Sequence, residues 1–516
     1  MQPLPRASGS RCLSSLVITS CLALLAGCAT YNEQYPRTPS TAFQDYEKTR
    51  LGREFGAAAA AHPGESGVEI IRYGRFALAT RLMMADLAEK SLDLQYYIWD
   101  ADVSGHLLAE RVIRAAERGV RVRILLDDMS IAGRDASIAR ISGHPRIQIR
   151  AFNPFRDRGQ KLDFLSDPSR VNRRSHNKIF VADNAFAIVG GRNIGDHYFG
   201  VDDESNFRDL DIAAAGPVVR DVSAVFDAFW NSKFAVPYEA FVDTAPTAEE
   251  AQAQIATGRA QIAAEPLPYP IDEDVARLVT SLDEIRDGMS WGPVRVLYDH
   301  PSKAEDKTVK GIYHELATLI SGAREEVLIE NAYFVPSPRG VDASAALTQR
   351  GVKIRVLTNS LASNDVAAVH SGYKKYRQDL IENGVEIYEL RPDSTVKQRW
   401  SALSGQSEAG LHTKAMVVDR ERVVIGSYNL DPRSANINTE CALLVTSPEL
   451  GQVVAEYMDV GVRPENSYHV TVDDGKLRWV TADDGKEVSY SKEPETSWWK
   501  RFMVGFMGIL PIHSQL

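Results

Sequence analysis

Two segments of this chain, HNKIFVADNAFAIVGGRN starting at His176 and HTKAMVVDRERVVIGSYN starting at His412, carry one pattern without a gap: His-X-Lys-X4-Asp-X6-Gly-(Gly/Ser)-X-Asn. Chance supplies such a match about once in 10⁷ windows, so two in one chain mark a duplication. The preceding text agrees. SLDLQYYIW reads as a strand, GHLLAERVIRAAERG has apolar positions at helical spacing, and VRVRILLDD and IQIRAFN read as further strands. The second half repeats the series with EEVLIENAYF, VDASAALTQRG, VKIRVLTNS, a helix through YKKYRQDLIENG, and VEIYEL. Leu92 to His176 is 176 − 92 = 84 residues, and Leu328 to His412 is 412 − 328 = 84.

The expected fold is therefore α/β. Two duplicated domains, 68–236 and 297–470, are related by a pseudo-twofold axis; each is a mixed, mostly parallel sheet flanked by helices, and they share one active site. Around them lie a leader (1–27), a polar tether (28–67), an Ala-, Glu- and Pro-rich connector helix with flexible ends (237–296), and a C-terminal hairpin with an amphipathic tail (471–516). LRWV and EVSY flank ADDGK as the hairpin signal.

The first 27 residues hold Arg6 and Arg11, no acid, and an apolar run from Leu13 to Leu25 that closes on Leu25-Ala26-Gly27-Cys28. The run is short for a membrane span and fits an export signal. Its end resembles a bacterial lipobox, in which Cys28 would be lipidated and become the mature N-terminus, anchoring the chain on the periplasmic side of a membrane; inner and outer membrane both stay open. Cys12 and Cys21 leave with the signal, so only Cys441 is left as a thiol, expected as a small buried strand residue. Without the two leader arginines the balance is 57 − 69, or −12. That acidity argues against a general nucleic-acid partner, which needs a basic face.

On a strand, residues i and i+2 share a face, so His176 projects with Lys178 and His412 with Lys414. Asn193 and Asn429 follow Gly-containing turns. If the halves pack about a twofold axis, two His, two Lys and two Asn converge on one pocket. A phosphodiester needs this set: a neutral imidazole to attack phosphorus, an imidazolium to protonate the departing alcohol, and fixed donors for the equatorial oxygens. No metal or cofactor is required for that chemistry. Asp183 and Asp419 complete the motif set, although their odd offset from Lys turns them away, toward backbone hydrogen bonds. Asp209 in FRDLDIAAAG and Glu440 in NTECALLVT occupy comparable places in the two halves, where a carboxylate can hold an imidazole in its tautomer.

These segments resemble the HKD motifs of the phospholipase D superfamily. LDLQYYIW, GVRVRILLDD, SRVNRRSHNKIFVADNAFAIVGGRNIGDHYFG, LTNSLASNDVAAVHSGY and GSYNLDPRSANINTE are similar to bacterial cardiolipin synthase C-like proteins, from about residue 68 to the end, KEPETSWWKRFM included. The resemblance implies a covalent phosphatidyl-histidine intermediate, with His176 as nucleophile and His412 as general acid then base. It also implies phosphatidylglycerol as acceptor, and phosphatidylethanolamine or a second phosphatidylglycerol as donor. A hydrolase releasing phosphatidic acid uses the same motifs. A nuclease and a non-catalytic lipid-binding protein are the more distant readings.

Phospholipids and a membrane surface are thus the expected partners. In TSWWKRFMVGFMGILP, Trp498, Trp499, Phe502, Met503, Phe506 and Met507 sit beside Lys500 and Arg501, which suits either an interfacial helix or one docked on the core. Tyr96, Tyr97, Tyr333 and His370 are candidates for the pocket mouth.

Overall fold

The computed structural model describes residues 31–508 apart from 157, 159–162, 203–204, 265–269, 307, 310, 365, 395–407 and 484. Residues 1–30, which include the expected leader and Cys28, and residues 509–516 lie outside the described residues. The first half and connector hold β1 (Ser66–Ile71), β2 (Ser91–Tyr96), β3 (Arg121–Asp127), β4 (Ile147–Phe152), β5 (Ile179–Ala182), β6 (Phe186–Gly190), β7 (Ser205–Arg208), β8 (Asp211–Ala215), β9 (Ala235–Pro237) and β10 (Ser290–Gly292). The second half holds β11 (Val294–Tyr298), β12 (Glu326–Asn331), β13 (Lys353–Asn359), β14 (Glu386–Leu390), β15 (Glu408–Leu411), β16 (Lys414–Val418), β17 (Arg422–Gly426), β18 (Cys441–Thr446), β19 (Ser467–Asp473), β20 (Lys476–Asp483) and β21 (Lys486–Tyr490).

The sheets run β10-β1-β8-β6-β5-β2-β3-β4-β9 and β11-β18-β17-β16-β12-β13-β14-β19-β20-β21. Their inner order is the same, β8-β6-β5-β2-β3-β4 against β18-β17-β16-β12-β13-β14, as a duplication demands. The expectation of mostly parallel sheets is corrected. Within these two sheets, among the described residues, only β2–β3–β4 and β12–β13–β14 pair in parallel, across helical crossovers. The motif strands instead form hairpins, β5–β6 and β16–β17, with antiparallel neighbours. The cause is local: Asp183 and Asn184 (φ 54° and 54°) and Asp419 and Arg420 (φ 54° and 49°) turn with positive φ at consecutive positions, and so short a link reverses the chain.

One apolar cluster joins the halves. Ile179, Val181, Ala187 and Val189 pack with Val417, Val423, Ile425 and Leu443, with helices Val218–Trp230 and Pro448–Gly461 contributing Phe226 and Val454. Cys441 is buried in it, a free thiol pushed up by burial, as expected of a strand residue. The alternate residues of β5 and β6, Phe180, Ala182, Phe186 and Ile188, face the outer core with helices Gly74–Leu87 and Val103–Glu117. This period-2 split shows why strands apolar on both faces are buried on both.

The flanking segments differ from expectation. The 28–67 tether is packed from its middle onward: helix Arg50–Ala61 buries Leu51 and Phe55, and Phe55 stacks on Phe186 at 4.6 Å. The connector is not a free linker. Helices Ala248–Ala264, Ile271–Thr280 and Leu282–Asp287 put Ile255, Ile271, Val275 and Leu282 into the first-half core, and β10 pairs with β1. Its Ala-rich text hid the apolar positions that hold it down. The C-terminal hairpin is present as β20–β21. It is followed by helix Trp498–Met507, which buries Val504 and exposes Trp498 (67%), Trp499 (60%), Phe502 (48%) and Phe506 (52%). Among the described residues no helix is long and apolar enough to cross a membrane.

Candidate active site

Each motif histidine is positioned by the opposite half. His176 N donates to Thr439 O at 2.9 Å and Thr439 N to Arg174 O at 3.0 Å, a parallel bridge that sets His176 beside Glu440. Its counterpart is the two-stranded parallel pair β7–β15, from which His412 N donates to Arg208 O at 2.9 Å, beside Asp209. The imidazoles then meet carboxylates across the interface. His176 Nδ1 lies 2.8 Å from Glu440 Oε2 and His412 Nδ1 lies 2.6 Å from Asp209 Oδ2. This reciprocal exchange is what a twofold relation produces. With Nδ1–H given to a carboxylate, Nε2 is left as the nucleophilic or proton-carrying atom of each ring.

The two motif histidines and two motif lysines are buried at 7% exposure or less. Lys178 Nζ donates to His176 O at 2.6 Å, and Lys414 Nζ donates to His412 O. Burial lowers His176 to about 4; Glu440 opposes the shift and the two lysines add to it. His412 moves the same way, by burial and then by Lys414 and Lys178. Burial also pushes Lys178 well down, against the charges of Glu440 and Asp209. Burial thus favours the neutral form of both imidazoles.

The two carboxylates are not equivalent. Burial pushes Glu440 up, but His176, Lys178 and the Ser427 hydroxyl outweigh it and the group sits below its ordinary range. Ser427 Oγ donates to its Oε2 at 2.5 Å and Ser434 Oγ to its Oε1 at 2.8 Å. Asp209 has less support, and burial holds it above the usual carboxylate range against Lys414 and Arg192. Aromatic rings wall both imidazoles. Tyr97 meets His176 edge-on at 5.1 Å, and Tyr198 and Phe207 meet His412 at 5.1 and 5.3 Å.

The family model described as cardiolipin synthase, phospholipase D-like domain matches twice, at residues 82–230 and 316–460. The chain belongs to this family. It is 39% identical over 468 residues to cardiolipin synthase C of Escherichia coli K12, covering 87% of this chain and 96% of that protein. A probable cardiolipin synthase of Bacillus subtilis is 24% identical, over 75% of this chain and 64% of its own length. Among solved structures, phosphatidylserine synthase of Haemophilus influenzae is similar in fold, with a TM-score of 0.52 at 14% identity, covering 80% of this chain and 91% of that one. As a family member the chain is a phosphatidyltransferase of the phospholipase D superfamily.

Within this family site, His176, Lys178, His412, Lys414, Asp209 and Glu440 come together as the sequence suggested. Asp183 and Asp419 do not, and counting them as catalytic is corrected. Asp183 accepts the backbone N–H groups of Glu89, Lys90 and Ser91 at 2.7–2.9 Å, and Asp419 those of Arg324, Glu325 and Glu326 at 2.8–3.2 Å. Four extended residues separate each from its lysine, a span of about 16 Å along the strand. Asn193 is a positioning residue, its Oδ1 on Ile98 N at 3.2 Å and its Nδ2 on Tyr198 Oη at 2.8 Å. Asn429 is buried with its Oδ1 free of hydrogen bonds among the described residues.

Of the proposed mouth residues, Tyr97 reaches His176, and Tyr333 lies 5.8 Å from Lys414 Nζ. Tyr96 is instead buried against Arg81, and His370 against Glu493. Sequence reasoning missed Ser427, Ser434, Tyr198 and Arg208. Arg208 presents its carbonyl to His412 while its guanidinium binds Glu330 across the halves at 2.8 Å. Ser427 had a signal, since the first motif has Gly191 at that place. A Cβ there would lie 2.2 Å from Asp209 Oδ1, so that half has no room for the hydroxyl that the other half uses.

Proposed function

We propose that this phosphatidyltransferase makes cardiolipin, moving a phosphatidyl group from phosphatidylethanolamine or phosphatidylglycerol to phosphatidylglycerol through a phosphohistidine. His176 Nε2 attacks phosphorus, the bond to the leaving headgroup oxygen breaks, and that oxygen takes the proton on His412 Nε2. The acceptor hydroxyl of phosphatidylglycerol then gives its proton to His412 and attacks phosphorus, breaking the P–N bond. Lys178 and Lys414 balance the equatorial oxygens. The phosphodiester's charge raises the imidazole pKa and supplies the condition under which His412 carries its proton.

The observation that supports this best is the crossed pair of imidazole–carboxylate contacts, since each half lacks the group that orients its own histidine. The better-supported carboxylate, Glu440, belongs to His176. Once phosphorylated, that ring carries extra positive charge, which a fully ionised partner stabilises. The enzyme is read as membrane-associated, by a lipid on Cys28 and by the exposed aromatic face of helix Trp498–Met507. Purified protein in mixed phosphatidylethanolamine and phosphatidylglycerol vesicles tests the reading. Cardiolipin is the expected product, and phosphatidic acid without cardiolipin would replace it with a hydrolase.

A further inference from the structure

The duplicated halves differ most in what lies between their sheets and outer helices. In the first half the helix after β2, Val103–Glu117, buries Leu108, Val112, Ile113 and several small residues. The connector helix Ala248–Ala264 closes over it, held by Arg259 to Glu110 at 3.3 Å and to Glu117 at 2.8 Å. The space left is 350 Å³, with Ile255 and Ile262 in its wall. In the second half the corresponding helix, Pro338–Gln349, buries Leu347 alone. Under it is a chamber of 730 Å³ whose floor is Val327 and Ile329 of β12 and Ile354 and Val356 of β13. Among the described residues no connector helix closes this side. A helix that buries one residue over an apolar floor of this size lacks the apolar contact that seats a surface helix.

The chamber approaches Lys414 through shared wall residues. Leu316, Tyr428 and Leu430 line it, and the same three residues line a narrow space that also touches Asn331 and Lys414. Tyr428 and Leu430 flank Asn429, the motif asparagine. A ligand with its phosphate beside Lys414 therefore has the chamber one side chain away. The volume falls within the roughly 300–1,000 Å³ of ordinary ligand cavities, and the wall is predominantly apolar.

We propose that this chamber holds a fatty acyl chain of the phospholipid bound at the two histidines, so that the tail is seated by the second half, whose 730 Å³ exceeds the 350 Å³ that the connector helix leaves in the first. The proposal rests on the phosphatidyl-transfer reading above. Apolar surface of this extent is filled by a ligand that offers methylenes and no polar group, and the tail supplies the contacts that helix Pro338–Gln349 lacks.

Two measurements on the full chain in vesicles test it. Phosphatidylglycerol carrying a diazirine at the end of one acyl chain is expected to label peptides within 313–350 or 428–436; label confined to 498–507 would put the chain in the bilayer and overturn the proposal. Ala343 lines the chamber, and Ala343→Trp is chosen to narrow it. The ratio of kcat/KM for long-chain over dihexanoyl donors is expected to fall about tenfold or more. Gly258→Leu, on the first-half cavity, is expected to keep the wild-type ratio. A ratio unchanged in Ala343→Trp overturns the chamber alone; absence of transfer from either donor by the wild type would instead overturn the reading it rests on. Labelling of the unaltered protein keeps the test open should Ala343→Trp not fold.

Discussion

The Nδ1 of His176 lies 2.8 Å from Glu440 Oε2, a carboxylate 264 residues away in the other half of the duplication, and His412 has the mirror arrangement with Asp209 across 203 residues. Neither half can orient its own imidazole. Glu440→Gln and Asp209→Asn keep the shape of each contact but remove the fixed charge and reverse the tautomer preference. Each is expected to lower kcat by about 10²–10⁴ with little change in KM. Steady-state transfer with single donors measures it, and a loss carried by KM alone would argue against an orienting role.

Asp183 and Asp419 are expected to matter for stability rather than chemistry. Asp183→Ala strips the acceptor from three backbone N–H groups at the start of β2. The cost is about 1–3 kcal/mol, read as a lower thermal midpoint. Turnover per folded molecule should stay within about threefold. A hundredfold fall at an unchanged midpoint would return Asp183 to the catalytic set.

Acidification should destabilise the fold through the site. The His176 pKa falls from 6.5 to about 4 on folding, because burial disfavours the charged ring. A group depressed in this way contributes stability that is complete above pH 6.5 and is lost as pH falls toward about 4. The loss is about 1.4 kcal/mol per pH unit for one unmatched proton. His412 and Glu440 shift in the same direction and add to it, while Asp209, raised by burial, opposes it. Thermal midpoints across this range should fall more steeply for the wild type than for His176→Ala. Parallel curves would contradict the assignment.

The exposed face of helix Trp498–Met507 is expected to bind lipid. In Cys28→Ser protein, which removes the proposed anchor site, replacing Trp498, Trp499 and Phe502 by Ala should lower partitioning to vesicles about tenfold or more. Unchanged partitioning in a sedimentation assay would leave this face without a role at the bilayer.

Much of this was legible because the chain repeats itself. The 84-residue register located both motifs, and Asp209 and Glu440 follow them at comparable places, 209 − 176 = 33 residues after His176 and 440 − 412 = 28 after His412, which a twofold exchange turns into matching partners. The strand pairing was not legible. Asp183-Asn184 and Asp419-Arg420 are turn signals inside what reads as a continuous motif, and they decide between crossover and hairpin. The connector hid its role because Ile255, Ile271 and Val275 are sparse in an Ala- and Glu-rich text, yet each finds a place on the first-half core. Ser434 could not be foreseen, since its contact with Glu440 depends on a helical turn after Asp431 that caps it at 2.7 Å.

In the proposed reaction one site serves both steps: His176 takes the phosphatidyl group and His412 handles the proton. Rapid quenching of turnover, followed by peptide mapping for a phosphatidyl adduct, tests it most directly. The account predicts an adduct on His176 that accumulates in His412→Ala and vanishes in His176→Ala; an adduct on His412, or cardiolipin formed by His176→Ala at the wild-type rate, would contradict it.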